Sequence, residues 1–498
     1  MRKDWGFYGR AREIAMIESI LDRGRWFFCA ISGRRRIGKT ALIREALESR
    51  KQYNYIYIQI PDSDERGVVQ AFQDALECFG VPVESAQRVR TFQHMVQLIG
   101  ALCRQGHSVI LDEFQYFHRK HLAAFQSLLQ AEVDQLRDTG QGGLFVLGSI
   151  HTEMTAILED RAAPLFNRIT DRIEVDHWDF ETLFEMTAAH GLSDPRQQLF
   201  LWTLFEGVPK FYRDAFDQGV LEPHAGHRAD TLRRLFFEGS SPLRDEADNW
   251  FLRELRGRYD TVLKLVARLG SCSHGDLMEE FRRAGSESEG KQLGGYLKIL
   301  IEKYGMVEKR QPIFSDGGQR KARYVIADNF LTAWLGALGK NVAAARFMPM
   351  ERSLAAADIA LATLEGFAFE KMVRQLTAEA SRKGRGDFAL TEMVQGFWNR
   401  ADGSDIEIDL VAVDGDHRIL RLGSCKRDPA AHDEAVFNGH IDRFLATKDG
   451  RAYRGWTLQR ALYSPEFPAD RRQWLQQRGY LCLDLNDFNT FLCRRHSP

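Results

Sequence analysis

The chain has 498 residues, of which 44% are hydrophobic and 28% charged, with 68 Lys and Arg against 69 Asp and Glu and a net charge of -1. That length is too great for one core and predicts about two to four domains, while the near-zero charge excludes a global field drawing the protein to DNA or anionic lipid. The seven scattered cysteines, without CxxC spacing, argue against zinc ribbons and disulfide frameworks; with no long apolar run and no signal-like N-terminus, a cytoplasmic protein without a membrane partner is expected.

In chain order, FYGRAREI (Phe7 to Ile14) places an aromatic pair before a helix, and WFFCAI (Trp26 to Ile31) reads as a buried strand. GRRRIGKTAL (Gly33 to Leu42) follows. Its three arginines suggest a nucleic-acid patch, yet Gly33, Gly38, Lys39 and Thr40 also satisfy the phosphate-binding spacing GxxxxGK[ST]. Such a loop must follow a strand and open a helix, because backbone N–H groups and the helix N-terminus hold the phosphates. TALIREALES, with Leu42, Ile43 and Leu47 on one face, supplies that helix. Gly33, Arg34, Arg35, Arg36, Ile37, Gly38, Lys39, Thr40 and Ala41 are therefore the candidate nucleotide-binding residues. Lys39 is expected at the β- and γ-phosphates and the Thr40 hydroxyl on Mg²⁺.

SVILDEFQYF is a strand ending in two acids: Asp112 as the Mg²⁺ carboxylate and Glu113 as the base for the attacking water. GLFVLGSI brings Ser149 to the carboxyl edge of the sheet, where a γ-phosphate or lytic water would lie, with a plain strand-ending turn as the alternative. In APLFNRIT, Arg168 is a candidate arginine finger in trans or a γ-phosphate sensor in cis, or a structural arginine. EGVPKFYRDAF places Gly207, Pro209 and Lys210 at the head of a helix.

Taken together, FYGRAREI, the loop, LDEF, LGSI, PLFNR and GVPKFY resemble the archaeal-type ATPases, a branch of the AAA+ and STAND-related P-loop proteins, over about Phe7 to Phe216. The resemblance implies ATP and Mg²⁺ as cofactors and ATP hydrolysis. It also implies a sensor position for Ser149, a lid motif at GVPK, and Phe7 to Arg12 near the adenine. A homo-oligomer is left open.

Farther on, helical patterns at Arg256 to Arg268, Asp276 to Arg283 and Lys291 to Tyr304 precede two strand-like runs around SDGGQ, a winged helix-turn-helix pattern. Residues 253–323 carry 15 Lys and Arg against 10 Asp and Glu, a mild patch. In a DNA-reading version, Lys291 and Lys298 enter a major groove and Arg320, Lys321 and Arg323 of the wing meet phosphates; the alternative is a protein–protein or lid element.

The last third has LEGFAFEKMVRQL, a helix with Glu365 and Glu370, then the strand SDIEIDLVAV with Glu407 and Asp409 on one face, then HRILRLGSCKRD reaching Lys426. Glu370, Asp409 and Lys426 make a PD-(D/E)xK pattern, in which carboxylates hold a divalent metal and the lysine orients water. The segment resembles the nuclease-like domain of unknown function often fused to archaeal-type ATPases, over about Ala362 to Leu485. Ser424 stands where that pattern has an acid, and Glu407 is the candidate to compensate. An inactive nuclease fold that binds nucleic acid or a partner is the alternative.

The expected fold class is α/β: a P-loop NTPase parallel sheet (1–180), a helical lid (181–245), a winged helix (246–345) and a restriction-endonuclease-like α/β domain (346–498). The expected function is an ATP-dependent switch controlling the C-terminal domain's access to DNA. Alternatives are a nucleotide-dependent scaffold and an effector activated by assembly.

Overall fold

The computed structural model describes residues 4–50, 54–82, 86–149, 151–223, 226–244, 246, 258–283, 292–315, 321–401 and 404–493. Lys291, Arg320, the AGSESEG turn and the start expected at Arg256 lie outside these residues. The chain divides into two compact units: Phe7–Trp178 with Val208–Lys210, and Met1–Gly6 with Asp179–Gly207 and Phe211–Pro498.

The first unit is built on five parallel strands, β1 (Phe27–Ser32), β2 (Tyr55–Gln59), β3 (Ser108–Asp112), β4 (Gly143–Gly148) and β5 (Asp171–Glu174), in the order β2-β3-β4-β1-β5. The central strands are apolar throughout because helices cover both faces. Phe28, Val109, Leu111, Leu144 and Val146 pack on one side beneath helices such as Phe92–Arg104 and Ala124–Thr139. Phe27, Cys29, Ile31, Ile110, Phe145 and Leu147 pack on the other, beneath Ala11–Asp22 and Lys39–Glu48. Parallel strands put the loops after β1, β3 and β4 on one edge, and β4 lies between the other two.

In the second unit, Asp179 and Asp194 cap the helices Phe180–Ala189 and Pro195–Phe205 through the N–H groups of Thr182 and Arg196. Helices Arg258–Leu269, His274–Arg283 and Leu293–Glu302 then enclose a core of Leu263, Val266, Leu277, Leu297 and Leu300. They pack with a small antiparallel sheet of β6 (Cys272–Ser273), β7 (Val307–Arg310) and β8 (Arg323–Ile326), ordered β6-β8-β7. A 33-residue helix, Met350–Arg382, leads into a five-stranded mixed sheet. Its strands are β9 (Gln395–Ala401), β10 (Ser404–Asp414), β11 (Ile419–Cys425), β12 (Thr457–Tyr463) and β13 (Tyr480–Leu483), in sequential order. The β9–β10 and β10–β11 pairs are antiparallel, and β11–β12 and β12–β13 are parallel. The chain is thus α/β. Among the described residues no helix is long and apolar enough to cross a membrane.

The β7–β8 hairpin corrects one expectation. Arg323 does not project as a phosphate-binding wing: its Nη1 meets Glu407 Oε1 at 2.7 Å and its guanidinium lies 4.8 Å over the Trp398 ring. Trp398 Nε1 donates to the Lys321 carbonyl at 2.8 Å, so opposite charge and an indole N–H on β9 and β10 have claimed the hairpin.

Candidate functional site

The loop after β1 is shaped by steric demands. A Cβ on Gly33 would lie 2.4 Å from the Val175 carbonyl oxygen, next to the 2.8 Å bond from Val175 N to Ser32 O, so only glycine fits. Arg36 and Gly38 both take positive φ, 66° and 92°, turning the chain back on itself. Ile37 is fully buried as the loop's anchor, and Arg10 Nη2 donates to its carbonyl at 3.1 Å. The helix then begins at Lys39, leaving the N–H groups of Lys39, Thr40 and Ala41 without intrahelical acceptors, as an anion site requires. Lys39 is buried, and Nζ donates to the carbonyls of Gly33 (2.9 Å) and Arg34 (3.1 Å). Burial pulls its ammonium down to about 8, against the opposing pull of Asp112 and Glu113. Arg34 Nη1 lies 3.4 Å from His177 Nε2, while Arg35 is exposed at the lip.

At the end of β3, Asp112 is 5% exposed and accepts three hydrogen bonds: from Thr40 Oγ1 (2.7 Å), from the Tyr57 hydroxyl (2.7 Å) and from Glu113 N (2.8 Å). Burial and the Asp112 charge raise the Tyr57 hydroxyl pKa, so it remains a donor. Glu113 adopts a left-handed conformation (φ 57°, ψ 37°) that starts the tight turn Phe114–His118 and aims its half-buried carboxylate across the sheet edge. Its Oε2 accepts from the amide of Gln115 and from Ser149 Oγ (3.4 Å), and Gln115 Nε2 also reaches Ser149 Oγ at 3.2 Å. Thr40, Asp112, Glu113 and Ser149 thus gather at one edge. Tyr57 and Gln115 join them without having been singled out from sequence. Pro209 also belongs to this edge, 3.9 Å from where a Gly38 Cβ would stand.

Arg168 is placed elsewhere. Its guanidinium makes a bidentate pair with Asp134 (2.8 and 2.9 Å), and the nearby Thr170 N bonds to Phe28 O, at the start of β1. Four strand residues at about 3.3 Å each separate that edge from the loop, so the reading of Arg168 as a sensor in cis is corrected. Tyr8 is 3% exposed and packs edge-on to Trp178.

In the second unit, Asp409 sits where β10 carries an extra residue: pairing with β9 shifts register between Ile408 and Val411, a bulge that re-aims the side chain. Asp409 Oδ2 accepts from Cys425 N at 2.8 Å and lies 3.7 Å from Lys426 Nζ. Glu370 reaches the same region from the long helix. Arg374 stands between them, 3.8 Å from Glu370 and donating to the Asp409 carbonyl at 2.9 Å. Burial pushes both carboxyl groups above the usual range; the Asp409 charge adds to the rise at Glu370 and the Glu407 charge to that at Asp409, with Arg374 and Lys426 opposing. Ser424, on β11, supplies no carboxylate, and Glu407 does not compensate: its carboxylate is held by Arg323, while its N–H donates to His440 Nδ1 at 3.1 Å. The donor set is therefore two acids and a lysine. The two acids border a cavity of about 490 Å³ that also reaches Arg310, Arg323 and Trp398.

A glycine-bounded loop opening a helix, with a hydroxyl bonded to a strand-end carboxylate on a β2-β3-β4-β1-β5 sheet, defines a P-loop NTPase. The family profile described as an ATPase domain predominantly from Archaea matches residues 7–210, and this part of the chain is an archaeal-type ATPase domain. An uncharacterized protein of Methanocaldococcus jannaschii, MJECL04, is 24% identical over 417 residues, covering 83% of this chain and 86% of its own. Among solved structures, the Walker-type ATPase paby2304 of Pyrococcus abyssi has a similar fold, with a TM-score of 0.50 at 18% identity over 66% of this chain and 96% of that one. The ORC2 protein of Aeropyrum pernix gives 0.47 at 15% identity, covering 73% and 97%.

Proposed function

We propose that the ATPase domain binds ATP with Mg²⁺ through Gly33 to Ala41, hydrolyses it, and serves as a switch governing a nuclease-like, DNA-interacting C-terminal domain in the cytoplasm. The observation that carries the nucleotide reading is the 2.7 Å bond between Thr40 and Asp112, which joins the loop helix to β3 where the two would hold Mg²⁺. The metal, when bound, neutralises phosphate charge. Lys39 trades its loop carbonyls for phosphate oxygens, whose negative charge offsets the burial that lowers its pKa. Glu113 takes the proton of the attacking water, and Gln115 and Ser149 orient both. Arg168 is kept as the candidate finger in trans within a homo-oligomer, a role that requires release of its pair with Asp134.

We read the three helices and hairpin around residues 258–326 as a winged helix whose wing is engaged within the chain. Lys298, 69% exposed on the third helix, and the exposed Lys321 of the hairpin are its candidate DNA contacts. Glu370, Asp409 and Lys426 are read as a PD-(D/E)xK-type site. A second reading, a non-catalytic nuclease fold in a nucleotide-dependent scaffold or assembly-activated effector, is favoured by Ser424 and the engaged Glu407. Cleavage of supercoiled and linear DNA with Mg²⁺ or Mn²⁺, with and without ATP, beside Lys39→Ala and Asp409→Ala, decides between them. Cutting lost in Asp409→Ala and altered in Lys39→Ala supports the gated nuclease. No cutting, with ATP still hydrolysed, supports the scaffold.

A further inference from the structure

Resting on the nuclease-like reading of the C-terminal site, the geometry points to its substrate class: a single nucleic-acid strand, presented one unpaired nucleotide at a time, with paired duplex excluded. Glu370 and Asp409 share the wall of the 490 Å³ cavity with Arg310 and Arg323 of the β7–β8 hairpin. That volume is on the scale of one small ligand. A duplex, with a major groove alone about 12 Å wide, belongs to another scale.

The hairpin is fastened over the cavity. Ile313 N donates to the Gly396 carbonyl at 3.0 Å, Trp398 Nε1 to the Lys321 carbonyl at 2.8 Å, and Arg323 bridges Trp398 and Glu407. Ile313 and Phe314 also pack against the C-terminal core. These contacts run along β9 to Glu407, two residues from Asp409. A duplex approaching from this side would have to strip them away, whereas a single strand need only enter the cavity.

The walls suit an unpaired base. Phe367 and Met393 line the cavity yet are 40% and 76% exposed, large apolar groups left in water where a stacked base would cover them. Charge agrees. Four cations and four carboxylates line the cavity, so it lacks the uncompensated Lys and Arg with which a protein tracks many duplex phosphates, and it suits one phosphate beside the acids.

The test is fluorescence anisotropy of the full chain with a fluorescein-labelled oligothymidylate and with a blunt hairpin duplex, in Mg²⁺ and in EDTA, beside Mn²⁺-dependent cleavage of both. The single strand is expected to bind at least about ten-fold more tightly than the duplex. Phe367→Ala combined with Met393→Ala should weaken that binding by about ten-fold, with unchanged melting, since base stacking carries effects of that size. Arg323→Ala, which frees Trp398 and Glu407, should narrow the strand preference. Equal binding or cutting of blunt duplex by the parent protein overturns the inference and leaves the nuclease reading standing. Single-strand binding untouched by the Phe367 and Met393 changes also overturns it, because the strand then lies elsewhere. Strand preference that depends on Phe367 and Met393, without cleavage in any metal, upholds the cavity's ligand and removes the nuclease chemistry alone.

Discussion

Replacing Asp112 by asparagine separates two jobs that the carboxylate combines. In the folded protein its oxygens accept from Thr40, Tyr57 and the Glu113 amide, all at 2.7 or 2.8 Å. Asparagine keeps one oxygen. If that oxygen faces the Glu113 N–H, the amide NH₂ faces the Thr40 and Tyr57 hydroxyls, which can rotate to become acceptors. Three charge-assisted bonds then become neutral ones at about 0.5–1 kcal/mol each, and the domain should lose about 2 kcal/mol while remaining folded. Hydrolysis should suffer more. The carboxylate proposed to hold Mg²⁺ is worth several kcal/mol to a transition state that gathers charge on phosphate, and each 1.4 kcal/mol is about ten-fold. A fall in kcat of at least about a hundred-fold is expected. Phosphate release at saturating Mg²⁺ and ATP, with urea unfolding of the same preparations, measures both. Turnover within about three-fold of the parent would refute the metal role. A stability loss above about 5 kcal/mol would show that Asp112 is chiefly structural.

Gly33→Ala drives a methyl into the Val175 carbonyl and must part β1 from β5; a loss of about 1–3 kcal/mol together with weakened nucleotide binding is expected, and parental melting and affinity would contradict the steric account. Lys371 Nζ lies 2.6 Å from Glu206 with both side chains largely buried, so Lys371→Met should cost about 3–5 kcal/mol, part of it recovered by adding Glu206→Gln. Strict additivity in urea titrations would show that the pair is not coupled. His432 is 5% exposed, its Nδ1 has no partner, and burial, with Lys426 and Arg471 nearby and Asp428 opposing them, lowers its pKa to about 4. Because the unfolded imidazole titrates near 6.5, the folded protein binds fewer protons between these values. Stability is whole above about pH 6.5 and falls by about 3 kcal/mol as pH drops toward 4. His432→Gln should flatten that decline, and an unchanged pH profile would remove His432 as its cause.

The nucleotide loop was legible because phosphate binding imposes a covalent spacing, and Asp112 with Glu113 because an apolar run ends abruptly in acid. Gln115 left no such trace. It returns to the site through a single left-handed residue, Glu113, and hydrophobic periodicity is blind to one dihedral. Tyr57 depends on β2 pairing with β3, an alignment between segments about fifty residues apart. Arg168 was recognisable as a charge near the right motifs, but which edge of the sheet received it was settled by β5 pairing with β1. The β7 and β8 runs were readable as a hairpin. Their partner was not, since Glu407 lies 84 residues beyond Arg323 in sequence.

The helix Met350–Arg382 has one more consequence. At about 1.5 Å per residue it is about 50 Å long, and it carries Glu370 some 30 Å from its first turn. It is pinned along its length by cations: Arg228 at Asp358 and Glu365, Arg427 at Glu365, its own Lys371 at Glu206, and Lys383 at Asp179 and Glu181. Such a helix is a lever. A tilt of about 5° about its first turn would carry Glu370 about 2.6 Å past Asp409, many times the roughly 0.2 Å that metal coordination tolerates. The alignment of the two acids therefore depends on ion pairs spread along the whole helix, and on the proposed reading of the site the loss of the Arg228 charge, which pairs with Asp358 and Glu365, is expected to disturb it.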